Sequence, residues 1–118
     1  MGGFPAPFVQ AGLSQPNAPP PVPLGAYWDQ EHQILQIGFD RWLQTATLAA
    51  SNWSMSFDGD LYYATEASSA AESVYCPMVT DSNPGGPDGV SYLATPPDVI
   101  SVLGTAAAAF SNFPLTPV

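Results

Sequence analysis

Three short runs in this chain alternate apolar and polar residues with a period of two. Leu35, Ile37 and Phe39 alternate with Gln36, Gly38 and Asp40; Trp53, Met55 and Phe57 alternate with Ser54 and Ser56; Val74, Cys76 and Met78 alternate with Tyr75 and Pro77. Successive side chains of an extended strand point to opposite faces, so each run buries one face and leaves the other on the surface. Asp58-Gly59 after the second run supplies a tight turn in which glycine takes the positive φ, and residues 61–65 form the return strand. Pro77 places the third strand at an edge or a bulge. Residues 81–89, rich in Asp, Asn, Gly and Pro, read as a loop. Residues 90–94 form a strand ended by Pro96-Pro97, and residues 106–113 form the last one, ended by Pro114. Alanine-rich residues 67–72 and 105–109 favour helix by propensity but are too short to hold one; the first is read as a connection and the second as part of a strand.

Short strands at this spacing predict an all-β fold. The spacing leaves a sandwich or a barrel open over residues 26–118. The chain's 118 residues suffice for one such domain. Most of the aromatic residues fill its core, while Trp28 and Tyr63 are expected on outward faces, where a partner or a glycan could contact them.

Residues 1–25 read differently. Prolines stand at 5, 7, 16, 19, 20, 21 and 23. Proline fixes φ and removes a backbone donor, so this stretch is expected to be an extended arm with polyproline II character. It also carries Phe4, Phe8, Val9, Leu13 and Val22, more apolar side chains than a spacer needs. Three readings remain: the arm lays these side chains on a neighbouring subunit, it packs back on its own domain, or it is a disordered tail. The expected partner-binding residues are Phe4, Pro5, Phe8, Val9, Leu13 and Val22, together with Arg41.

Arg41 is the single Lys or Arg, and the formal net charge is −9. Nucleic-acid binding requires cations to displace the counterions of phosphates, which excludes a nucleic acid as partner. An anionic membrane surface is disfavoured for the same reason, and no apolar run is long enough to span a bilayer. A basic protein surface suits the charge better. One cysteine allows no internal disulfide, and the N-terminus lacks the pattern of a signal peptide, so assembly in a cytosol is expected.

Leu35-Gln36-Ile37-Gly38-Phe39-Asp40-Arg41-Trp42-Leu43, followed by Thr47-Leu48 and Asn52-Trp53, resembles the start of bacterial immunoglobulin-like (cadherin-like) repeats. Val90-Ser91-Tyr92, Pro96-Pro97, Val102-Leu103-Gly104-Thr105, Ala109-Phe110-Ser111 and Pro114-Leu115 resemble their closing segment. The chain departs from the pattern at Val102-Leu103, where an acidic residue is usual, and at Thr105, where Asn is. Single domains of this kind occur as decoration or cement proteins on tailed-phage capsids. The resemblance therefore implies an immunoglobulin-like β-sandwich of about seven strands over residues 26–118, and a non-enzymatic structural protein of the virion surface, assembled in the host cytoplasm. Its partner would be the major capsid protein or neighbouring subunits, and copies would associate on the shell. Alternatives are a cell-surface or glycan-binding adhesion module, or a tail or fibre subunit.

No catalytic constellation is apparent. His32 is the only histidine and Cys76 the only cysteine, too few for a zinc site. His32 is expected at the surface, and Cys76 as a buried thiol. Asp58-Gly59-Asp60 lacks the further ligands of a calcium loop and reads as a hairpin turn. Catalytic, metal and cofactor sites are thus all expected to be none.

Overall fold

The computed structural model describes residues 18–82 and 84–118. Ten strands follow one another: β1 (Pro23–Asp29), β2 (Ile34–Phe39), β3 (Ala46–Thr47), β4 (Trp53–Phe57), β5 (Asp60–Tyr63), β6 (Ser68–Ala70), β7 (Ser73–Pro77), β8 (Pro87–Tyr92), β9 (Phe110–Phe113) and β10 (Leu115–Pro117). One 3-10 turn, Ala50–Asn52, leads into β4. The strands form two sheets, ordered β10-β1-β2-β7-β6-β3 and β5-β4-β8-β9. The blocks β1-β2-β7-β6 and β5-β4-β8-β9 are the two layers of a β-sandwich. β10 adds to this by pairing in parallel with β1.

The period-two runs set the core. Leu35, Ile37, Phe39, Val74 and Cys76 from one sheet are buried with Trp53, Met55, Phe57, Val90 and Tyr92 from the other. Their polar neighbours lie outside, as the alternation requires. Asp58 and Gly59 both have positive φ, 52° and 84°, and link Phe57 to its partner Asp60 as a two-residue hairpin turn.

Several local expectations change. Among the described residues there are ten strands rather than about seven, because connections such as residues 68–70 also pair. Residues 68–70, read as part of a connection, form β6 along β7. Pro87, Asp88 and Gly89 belong to β8 rather than to a loop. The final segment holds two strands on either side of Pro114, while residues 106–109 form no continuous strand. β1 starts at Pro23 inside the proline-rich stretch, with a bulge between Pro23 and Gly25. Proline is tolerated as a first strand residue, where its missing N–H breaks no ladder.

Two side-chain placements also differ. Trp28 is buried, not outward: it pairs with Leu35, and that register turns it inward with Ala26. Its indole N–H donates to Gln30 Oε1 at 2.8 Å, which satisfies the one polar atom that burial would strand. Pro77 lies in an interior strand, at its last residue, where the ladder with β6 has already ended opposite Tyr75. Tyr63 is outward and 61% exposed, as expected.

Candidate partner-binding surface

The arm enters the sandwich at one pole, where β1 begins and β2 ends. Asp40 directly follows β2, and its side chain meets the incoming chain. The Val22 N–H donates to Asp40 Oδ1 at 3.0 Å, and the Asp40 N–H donates back to the Val22 carbonyl at 3.0 Å. Arg41 closes on the same carboxylate, donating from Nε to Oδ1 at 2.9 Å and from Nη2 to Oδ2 at 2.8 Å. This parallel, charge-assisted pair fixes the carboxylate in one orientation. The Arg41 hydrogen bonds, and then the Val22 amide, hold the Asp40 carboxyl down to about 2.

A second tie lies four residues earlier, where Thr105 Oγ1 donates to the Ala18 carbonyl at 3.0 Å. Between the two ties Pro21 is buried. Pro19, Pro20 and Pro21 each have φ fixed by the ring, so little conformational entropy is lost in holding this short span. Residues 18–22 are thus a root built into the domain.

Beside the root lies an apolar surface. Trp42 is 59% exposed, Val22 48% and Val102 42%. The Val102 N–H donates to the Trp42 carbonyl at 3.0 Å, which joins the loop after β2 to the loop that holds Ala18. The sequence reading named Val22 and Arg41 separately, and Asp40 brings them together. It missed Trp42, Val102 and Thr105; the signal within reach was a tryptophan directly after the lone Asp-Arg pair. Phe4, Pro5, Phe8, Val9 and Leu13 lie outside the described residues.

The root has a titration signature. A carboxylate whose pKa falls on folding stabilises the fold above its ordinary value, and that contribution is lost as pH drops through the lowered one. The root contacts of Asp40 should therefore be intact above 3.8 and fail as pH approaches about 2. The Val22 amide, followed by NMR, should titrate with a midpoint of about 2. A midpoint at the ordinary carboxylate value would show that Arg41 and Val22 do not hold Asp40 in solution.

A polar cluster supports the loop behind the root. Asn52 is buried, and its Nδ2 donates to the Pro96 carbonyl at 2.9 Å and to Asp98 Oδ1 at 3.3 Å. Its Oδ1 accepts from the Thr95 N–H at 2.8 Å and the Thr95 hydroxyl at 3.1 Å. The Tyr92 hydroxyl donates to Asp98 Oδ1 at 3.0 Å and accepts from the N–H groups of Asp98 and Val99 at 2.9 and 3.2 Å. Asp98 Oδ2 takes the Ala49 N–H at 2.7 Å. Every member has partners, the condition under which a buried polar cluster rigidifies rather than destabilises. From Asp98 the chain runs directly to the 101–105 turn that ties down Ala18.

The residues weighed for chemistry are engaged elsewhere. His32 lies in the β1–β2 turn with Nδ1 2.8 Å from Asp29 Oδ2, and that contact lowers the Asp29 pKa. Cys76 is fully buried, and burial pushes its thiol far up, which makes the thiolate scarce. Asp88 accepts from Ser56 Oγ at 2.7 Å and from the Gly59 N–H at 2.9 Å, bracing the β4–β5 hairpin. Among the described residues no three His, Cys, Asp or Glu side chains converge as a metal site would require, and no helix is long and apolar enough to cross a membrane.

No family model matches this chain, and comparison with curated proteins and with solved structures finds no significant match to either.

Proposed function

We propose that this chain is a non-enzymatic assembly protein that attaches to a multi-subunit shell through its N-terminal arm, as a capsid decoration or cement protein of a phage does. The observation that carries this reading is the arm root. A carboxylate, the lone arginine, a buried proline and two backbone ties fix where the arm leaves the domain, next to exposed Trp42 and Val102. A tail that only trails from a domain needs no such anchoring. An arm that must present Phe4, Phe8 and Val9 to a partner gains from it, because a fixed exit lowers the entropy cost of docking. Many symmetric copies on a shell would then add avidity.

Charge fits the same reading. Arg41 is paired with Asp40, so the net charge of −9 suits solvent or a basic seam of the major capsid protein better than nucleic acid or an anionic membrane. The proposed location is the outer surface of a virion capsid, reached by assembly in the host cytoplasm. The resemblance to bacterial immunoglobulin-like domains supports the shell in particular.

The test is binding of the full chain, and of a chain lacking residues 1–17, to virus shells depleted of this protein. The deletion stops before Ala18 because residues 18–22 are part of the folded domain. The full chain is expected to bind, and the shortened chain to stay folded and lose at least about tenfold in affinity, the effect of 1.4 kcal/mol. Equal binding by the two would remove the arm as anchor, and no binding by either would remove the shell.

A further inference from the structure

The outer face of the β1-β2-β7 layer carries a groove of about 390 Å³. Three residues in one row form its middle: Tyr27 pairs with Gln36, and Gln36 with Tyr75. Ile34 and Val118 give it an apolar end, closed by the Asp29–His32 pair. A Cβ on Gly25 would come within 2.7 Å of the Tyr27 hydroxyl oxygen, so the Tyr27 ring lies down along its own strand over the space that glycine leaves. Gln36 donates from Nε2 to Ser73 Oγ at 3.2 Å, which holds its amide upright between the two tyrosines.

We propose that this groove takes residues 1–17 of a second copy of the chain, so that copies join head to tail. The inference rests on the reading of the chain as an assembly module and adds a second copy to its partners.

Three observations select this occupant. The first is chemical. Proline-rich segments in polyproline II form leave their backbone carbonyls unpaired and dock in grooves lined by aromatic rings that offer hydrogen-bond donors. Two tyrosines on either side of a glutamine provide those rings and donors, and Phe4-Pro5-Ala6-Pro7-Phe8 provides prolines between aromatic side chains.

The second is charge. The first charged residue in the chain is Asp29, so all ten carboxylates and Arg41 lie in the sandwich and none in the arm. Two sandwiches of like charge repel each other. An uncharged segment approaches the acidic body without that cost.

The third is polarity. The arm leaves at the pole of Asp40 and Thr105, whereas the groove lies toward the pole of Asp29, Ile34 and Val118. β2 has six residues from Ile34 to Phe39, five steps that put the groove's apolar end about 17 Å from the root. The root ties hold Ala18 and Val22 at the pole opposite the groove's apolar end. Seventeen residues reach at most about 60 Å, enough to span from one copy to the groove of the next. A donor at one pole and an acceptor at the other make a heterologous contact, which builds rings or filaments rather than closed two-fold dimers.

The test needs no shell. Sedimentation velocity is run from low micromolar to near-millimolar concentration on the full chain, the chain lacking residues 1–17, and the groove variants Tyr75→Ser and Ile34→Glu. Both substituted side chains lie on the outer face, about a third exposed, and circular dichroism checks each fold, so that either variant carries the test if the other misfolds. The full chain is expected to gain mass with concentration and each variant to stay monomeric. Mixing the arm-deleted chain with a groove variant should restore an equimolar heterodimer, because one supplies the groove and the other the arm. A monomeric full chain, self-association without the arm, or failure of the mixture to pair would each overturn the proposal. So would groove variants that self-associate normally but lose binding to an oligosaccharide panel, which would assign the groove to a glycan. Self-association with no shell binding would leave this inference standing and remove the shell, and the reverse result would do the opposite.

Discussion

Replacing Trp53 by alanine is expected to destabilise the domain by about 3–5 kcal/mol, a large share of the roughly 5–15 kcal/mol that holds a domain of this size together. Trp53 is completely buried at the start of β4. It stacks on Tyr92 with centroids 4.5 Å apart and meets Phe110 edge-on at 6.1 Å. Alanine there leaves a cavity walled by β-strands, whose paired backbones cannot collapse inward. Trp53→Phe isolates the packing share, because both variants lack the indole N–H. The Trp53 indole N–H has no hydrogen-bond partner among the described residues, and a buried unpaired donor costs about 1–3 kcal/mol. Phenylalanine removes that donor and keeps most of the ring contact, so it should retain at least about 2 kcal/mol of what alanine loses. Urea unfolding of the two variants checks this, and equal losses would mean that the phenylalanine ring does not recover the packing of Trp53.

Tyr92→Phe should lower stability by about 2–4 kcal/mol even though the ring is unchanged. The stack on Trp53 remains, but the half-buried Asp98 N–H and the buried Val99 N–H lose their common acceptor and Asp98 loses a donor. Stranded donors of this kind account for the magnitude. The effect should also spread along the chain. Asp98 leads to the 101–105 turn, where the Ser101 N–H donates to the Thr105 carbonyl at 2.9 Å and the Thr105 hydroxyl holds Ala18. Amide exchange should therefore quicken at Val99 and Ser101 beyond what the global loss explains. A loss under about 1 kcal/mol, the size of one ordinary net hydrogen bond, would show that the cluster adjusts to the missing hydroxyl.

Much of the frame was legible in the residues. Leu35, Ile37, Phe39, Trp53, Met55, Phe57, Val74, Cys76 and Met78 are all buried on the faces that their alternation assigns. Asp58-Gly59 turns where it was expected to. These readings succeeded because a period of two and a positive φ are local properties, written in neighbouring residues. The surface was legible only in part. Arg41 and Val22 stood out as an odd cation and an apolar residue in a proline run, but their shared carboxylate did not, since 18 residues separate Val22 from Asp40.

Neighbouring residues alone specify the all-β class, the inward faces of the three alternating runs and the hairpin at Asp58-Gly59, and composition sets the net charge of −9. The assembly of the two sheets settles that Trp28 turns inward, that residues 87–89 and 115–117 become strands, that Ala18 and Val22 are tied into the domain, and that Tyr27, Gln36 and Tyr75 share one row. Each of these depends on which strand lies alongside which. Pairing register is settled by burial summed over both sheets, so no single segment carries enough of it to be read alone.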